Sequence, residues 1–111
     1  MDILFITQHL KKEFTDPKKL LKVHGAKRTK IIKRRMATLR AADSLVDLRL
    51  LPGHCHELTG DRAGQITIAL DGPYRLIFEP ANEPVPRLQD GGLDWDRVTA
   101  IRILEVVDYH G

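Results

Sequence analysis

The spacing between successive hydrophobic residues changes near the middle of the sequence. This change constrains the fold more than any other feature of the sequence. Before Pro52-Gly53, apolar residues recur three or four positions apart, as at Leu10 and Phe14, which predicts amphipathic helices. After it, Ile66 and Ile68 alternate with polar residues, which predicts strands. The pattern favours an α+β fold of two layers, in which N-terminal helices pack on one face of a twisted antiparallel sheet.

Capping and turn signals predict where these elements begin and end. Asp16-Pro17 is typical of a helix start, with an N-cap followed by proline, and Gly25 is typical of the end of that helix. A second helix is predicted over about 26–42, and Asp71-Gly72 predicts a hairpin turn. The predicted strands are 3–6, 66–70, 74–79 and 98–109.

A long acidic loop is predicted over residues 80–96, with one exposed aromatic residue, Trp95. The loop contains prolines and a Gly91-Gly92 pair, which interrupt regular structure. Its negative charge argues against direct contact with RNA. The loop is instead expected to shield a cleft, contact a protein partner or lie in solvent.

Length and cysteine content limit the class of protein further. A chain of 111 residues predicts a single domain over 1–111. Its one cysteine, Cys55, excludes an internal disulfide and a zinc site built from cysteines, and we expect no metal and no cofactor. The short apolar run at 3–6 is not typical of a secretion signal, so the expected location is the cytoplasm.

Charge is distributed very unevenly along the chain. Residues 11–40 contain twelve Lys or Arg and two acids, whereas residues 41–111 contain six Arg and twelve acids. Such a basic block is typical of a polyanion-binding surface, although a solvated helical face is an equally plain interpretation. The cations that we expect to contact RNA are Lys27, Lys30, Lys33, Arg34 and Arg62.

Several side chains in the second half suit phosphate chemistry without a metal. Histidine is suited to proton transfer near neutral pH, and the donor fork of arginine fits phosphate oxygens in pairs. The sequence contains no Gly-rich phosphate loop, no HExxH helix and no nucleophile elbow. The groups that remain are His54, His56, Arg62, Arg75, Tyr109 and His110.

Three segments in this order resemble the HigB branch of the RelE/ParE toxin superfamily. They are His56 with Gly60-Asp61-Arg62, the strand Tyr74-Arg75-Leu76-Ile77-Phe78, and the terminal Asp108-Tyr109-His110. The likeness covers about 39–110. It implies a RelE-like fold and a ribosome-dependent mRNA endonuclease, with a helix-turn-helix antitoxin of the HigA type, mRNA and the ribosome as partners.

The resemblance also implies individual roles. His56 matches a histidine that transfers protons, and Arg75 matches an arginine that binds the scissile phosphate. Tyr109 and His110 match a pair that orients the nucleotide and assists acid–base chemistry. Thr59 stands where the family has a lysine, and Arg62, His54 and Arg35 are the candidates to supply the second cation that the nuclease interpretation needs. Without such a cation, Thr59 favours a binding module without catalysis.

Each role has a structural alternative, and other functions remain open at this point. Arg75 can pair with an acid such as Glu105, His56 can be a surface residue, and Gly60-Asp61-Arg62 can be a turn with a local ion pair. The other candidate functions are a toxin of the same fold that acts on DNA gyrase, a binding module without catalysis, and a helix-turn-helix DNA-binding protein.

Overall fold

A computed structural model of the chain describes residues 1–109. It contains a five-stranded sheet whose strands lie in the spatial order β1-β5-β4-β3-β2. The strands are β1 (Asp2–Phe5), β2 (His56–Glu57), β3 (Ile66–Ala69), β4 (Tyr74–Pro80) and β5 (Ala100–Asp108). The helices are α1 (Gln8–Thr15) and α2 (Pro17–Ala41). The predicted α+β architecture, with helices against a sheet, is confirmed.

Each helix begins after a residue whose side chain caps the helix N-terminus. Thr7 accepts a hydrogen bond from the backbone of Leu10, and Asp16 accepts one from Lys18 with Pro17 in the first turn. Gly25 interrupts α2 with a φ of 78°, a conformation that glycine adopts without a steric penalty. The helical geometry is therefore broken at Gly25, as predicted, and the second helical segment follows directly after the kink.

The sheet is antiparallel except at one edge. The chain passes from β3 to β4 through the predicted Asp71-Gly72 hairpin, and β4 pairs with the long strand β5. The N-terminal strand β1 pairs with β5 in parallel, with Ile3 opposite Ile101. This parallel edge was not predicted, because nothing in a four-residue apolar segment reports the direction of its neighbour.

The core lies between the helices and one face of the sheet. Ile32 and Leu39 from α2 pack against alternating residues of the strands, such as Ile68, Leu76 and Ile103. All five of these side chains are at most 1% exposed. Burial of this apolar surface is the main stabilising term of the fold, at about 25 cal/mol per Å².

The sequence prediction of an exposed Trp95 is wrong. Its side chain is only 6% exposed and belongs to the core. The indole Nε1 donates a hydrogen bond of 2.9 Å to Glu57, and the Arg49 guanidinium lies 4.4 Å from the ring centroid. A buried indole needs a hydrogen-bond acceptor, and β2, a strand that the sequence analysis missed, provides it.

No helix in the described part of the chain is both long enough and apolar enough to span a membrane.

Candidate functional site

The sheet face that points away from the helices carries most of the candidate residues, and we call it the open face. Leu76 and Phe78 of β4 belong to the core. Because successive side chains of a strand point to opposite faces, Arg75, Ile77 and Glu79 project onto the open face. The residues of β3 and β5 that pair with these three residues lie on the open face as well.

One row of paired residues crosses the open face from β2 to β5. His56 is opposite Thr67, Thr67 is opposite Ile77, and Ile77 is opposite Glu105. Thr67 and Ile77 are 2% and 0% exposed even though no helix covers this face. Leu58 is also buried outside the core cluster, which indicates that the segment after β2 covers the middle of the row.

Arg75 lies at the hairpin end of the open face. Its Nη1 donates hydrogen bonds to the carbonyl oxygens of Gly72, at 2.8 Å, and Tyr74, at 2.9 Å. These two acceptors are neutral, so they orient the guanidinium without neutralising it. Among residues 1–109, no carboxylate lies within ion-pair distance of Arg75.

The two other arginines of the open face are paired with acids. Arg62 bonds to Glu105 at 3.2 Å, and Arg102 bonds to Glu79 at 2.7 Å. Glu105 therefore pairs with Arg62 and not with Arg75, so the alternative interpretation that Arg75 pairs with Glu105 is wrong. Residues 60–62 do form a turn, but the ion pair of Arg62 is with a distant strand rather than local.

Arg75 and Tyr109 are neighbours, whereas His56 lies further away. Tyr109 follows β5 two positions beyond Val107, the partner of Arg75, so the two residues are diagonal neighbours about 7–8 Å apart. The Cα atoms of His56 and Arg75 are about 12 Å apart, because β3 lies between their strands. The Cα atoms of His56 and Tyr109 are on the order of 20 Å apart.

The fourth predicted catalytic residue, His110, lies outside the described residues. The other three share the open face, and Tyr109 is 37% exposed. They do not form a compact triad in this structure. The arrangement is an Arg75–Tyr109 pair at the hairpin end and a separate histidine at the β2 edge.

His56 is accompanied by a second histidine. The rings of His54 and His56 have centroids 4.5 Å apart, and Nδ1 of His56 lies 2.9 Å from the carbonyl oxygen of His54. Both residues are exposed. Thr59, which replaces the family lysine, is also exposed and begins the turn at 60–62.

The predicted RNA-binding residues of α2 belong to the helix layer, and one of them, Lys27, is close enough to Asp71 of the hairpin to lower the pKa of its carboxyl. Lys27, Lys30, Lys33 and Arg34 are exposed, while the core residues of the same helix face the sheet. Arg35 differs from them, since its Nε donates to the carbonyl oxygen of Ala69 at 2.8 Å. Burial lowers the pKa of Arg35, and Arg34 lowers it further.

A clamp between α2 and the hairpin supports Arg75, and the sequence analysis missed it. Arg28 bonds to both carboxylate oxygens of Asp71, at 2.9 and 3.4 Å, and its guanidinium lies 3.4 Å from the centroid of Tyr74. The hydrogen bond from Arg28 holds the pKa of the Asp71 carboxyl below its usual value. The clamp fixes the turn whose Gly72 carbonyl binds Arg75.

A cleft of about 340 Å³ lies at the opposite end of the sheet from Arg75. The loop that follows β4 forms one wall, with Asn82, Glu83 and Arg87, while Glu79 and Arg102 form part of the other. Neither His56, Arg75 nor Tyr109 lines it. The loop therefore borders a cleft, as one of the sequence interpretations expected, but this cleft is separate from Arg75.

Comparisons with known proteins agree on the fold. A solved structure described as a YoeB/ParE toxin from Agrobacterium tumefaciens is similar over 100% of both chains, with a TM-score of 0.58 and 12% identity. At that identity, the likeness shows that the two proteins share a fold. No family model matches the chain, and neither does any curated protein sequence. The HigB branch therefore remains a prediction from the sequence motifs.

Proposed function

We propose that this protein is the toxin of a type II toxin–antitoxin system and acts as a ribosome-dependent mRNA endonuclease. The observation that carries the proposal is the state of Arg75. It projects onto the open face, is oriented by two backbone carbonyls, and has no carboxylate partner within residues 1–109. A fixed arginine with unneutralised charge is suited to an anionic phosphate.

The fold and the sequence motifs support the same proposal. The structural neighbour is described as a toxin, and its likeness spans this whole chain. The three segments that resemble HigB toxins supply His56, Arg75, Tyr109 and His110. A toxin of this type acts with an antitoxin, and we infer a helix-turn-helix antitoxin encoded by a neighbouring gene.

The proposed reaction needs only protein groups. A base removes the proton of the ribose 2′-hydroxyl, and the 2′-oxygen attacks the adjacent phosphorus. The bond from phosphorus to the 5′-oxygen breaks, and an acid protonates that oxygen, which leaves a 2′,3′-cyclic phosphate and a 5′-hydroxyl. Arg75 stabilises the charge that develops on phosphorus, which is worth about 2–4 kcal/mol for one such donor.

The position of the basic helix supports the proposed dependence on the ribosome. The exposed cations of α2 and the open face are separated by the helix and the sheet, at least about 10 Å of protein. A short mRNA segment on the open face is therefore out of reach of Lys30 and Arg34. A large structured RNA, such as ribosomal RNA, can contact the helix while mRNA occupies the sheet.

Induction in a bacterial host tests the proposal, with two matched arginine variants. We expect the wild-type protein to arrest growth and to produce new mRNA 5′ ends within codons. Arg75→Gln should reduce cleavage by about two to three orders of magnitude, because it removes the charge at phosphorus. The control is Arg102→Gln, on the same face but already paired with Glu79, which should cleave at nearly the wild-type rate.

Two results would contradict the proposal. Growth arrest with intact mRNA and a DNA-damage response would favour action on DNA gyrase, and no arrest at any expression level would favour a binding module. If Arg75→Gln and Arg102→Gln cleaved equally well, Arg75 would not be the phosphate-binding residue. Urea unfolding of both variants shows whether a loss of activity is merely a loss of folded protein.

A further inference from the structure

The turn before β2 has an unusual backbone. His54 has a φ of 49°, in the left-handed region that side-chain-bearing residues rarely adopt, and Gly53 before it has a φ of 113°. The Gly53 carbonyl accepts a hydrogen bond of 2.8 Å from the backbone of Ala69. Non-glycine residues persist in such conformations only where the surrounding structure imposes them, often at functional sites.

Close packing holds this turn in place. A Cβ atom added to Gly53 would lie 2.6 Å from Cγ1 of Ile68 and 3.2 Å from Nε of Arg35. The position therefore requires glycine. Arg35 itself is fixed by its bond to the Ala69 carbonyl, so the turn is held between α2 and β3.

The turn directs one carbonyl at the candidate base. The oxygen of His54 lies 2.9 Å from Nδ1 of His56, and the two imidazole rings contact each other at 4.5 Å. A carbonyl oxygen can only accept a hydrogen bond, so the contact is favourable only when Nδ1 of His56 carries the proton. Which nitrogen of a neutral histidine is protonated is set by such a bond.

We propose that the Gly53-His54 turn is a positioning element that selects the tautomer of His56. The His54 carbonyl holds the proton of the neutral imidazole on Nδ1, and the lone pair on Nε2 faces solvent on the open face. The role of Nε2 as the base that deprotonates the 2′-hydroxyl rests on the proposed function, whereas the tautomer does not.

Nuclear magnetic resonance of the full chain tests the tautomer directly. Histidine ¹⁵N shifts, measured at about pH 8.5 where an ordinary imidazole is neutral, distinguish protonated from unprotonated ring nitrogens. His56→Gln assigns the signal. We expect the ratio of the Nδ1–H form to the Nε2–H form to be about fivefold higher for His56 than for His9, the factor that one neutral hydrogen bond contributes. His9, exposed and without a hydrogen bond to its side chain in the described structure, is the internal control.

Two substitutions of His54 separate the carbonyl from the side chain. His54→Gly keeps the carbonyl and tolerates the positive φ, so the tautomer ratio of His56 should stay within about twofold of wild type. His54→Val disfavours that φ, and the ratio should fall towards that of His9. In RNA cleavage, we expect His54→Val to be about tenfold or more slower than His54→Gly, at equal folded fraction.

Specific outcomes overturn the inference. A tautomer ratio of His56 no higher than that of His9 in the wild-type protein contradicts it, as does an unchanged ratio in His54→Val. Absence of RNA cleavage by the wild-type chain contradicts the proposed function alone, because the ¹⁵N spectrum still decides the tautomer.

Discussion

The clamp between α2 and the hairpin predicts a measurable coupling energy between Arg28 and Asp71. The pair makes two hydrogen bonds, and its side chains are 20% and 15% exposed. Exposed ion pairs contribute about 0.2–1 kcal/mol, whereas breaking a fully buried pair costs about 3–5 kcal/mol. Because the pair is bidentate but still reached by solvent, we expect a coupling of about 1–1.5 kcal/mol.

A double-mutant cycle measures this coupling. Arg28→Ala, Asp71→Ala and the double variant are unfolded with urea at neutral pH, and the amount by which the two single losses of stability together exceed the loss in the double variant is the coupling energy. Arg28→Ala also loses its contact with the Tyr74 ring, but that loss cancels in the cycle. The control cycle is Arg62 with Glu105, 31% and 47% exposed, where we expect at most about 0.5 kcal/mol.

The pH dependence of the coupling gives a second check. The pKa of the Asp71 carboxyl is lowered in the folded protein from its usual 3.8, chiefly by the hydrogen bond from Arg28. A lowered carboxyl pKa means that the stabilisation is present above pH 3.8 and is lost as the pH falls below that value. A coupling under about 0.3 kcal/mol at pH 7 would refute the reasoning, and so would an undiminished coupling at pH 3.

Two buried groups give further predictions. Within residues 1–109, the Oγ1 atom of Thr67 is buried and has no hydrogen-bond partner, so Thr67→Val should raise the free energy of unfolding by about 1 kcal/mol in urea; a loss of stability would contradict this. Burial raises the pKa of the Cys55 thiol to about 12, against 9.0 when exposed. Since only the unfolded thiol ionises above pH 9, wild type should lose about 1 kcal/mol more than Cys55→Ala between pH 8 and 10. Equal losses would refute that cause.

Local signals in the sequence were sufficient to predict most of the fold. The Asp16-Pro17 cap and the Asp71-Gly72 turn depend on residues within a few positions of each other, and both lie where predicted. β2 was missed because two residues are too few to show a period. Trp95 was misplaced because the acceptor that satisfies its indole, Glu57, is 38 positions away in the chain.

The candidate site was predictable as a set of residues but not as a geometry. Alternation along β4 was enough to place Arg75 opposite the core. The partner of each arginine was not predictable, since Arg62 pairs with Glu105 across 43 positions and Arg28 pairs with Asp71 across the same separation. These pairings depend on strand register and on how α2 lies against the hairpin, and neither is encoded in a short motif.

The distribution of neutralised and free cations connects the fold to the proposed chemistry. On the open face, Arg62 and Arg102 bind acids of β5 and β4, whereas Arg75 has no carboxylate partner within residues 1–109. On α2, Arg28 and Arg35 bind groups at the hairpin end of the sheet, and Lys27 lies near enough to lower the pKa of Asp71 there. If the protein acts as proposed, Arg75 binds the phosphate of mRNA. Arg28 holds the turn that orients Arg75, so the helix and the proposed phosphate-binding residue are linked through Asp71.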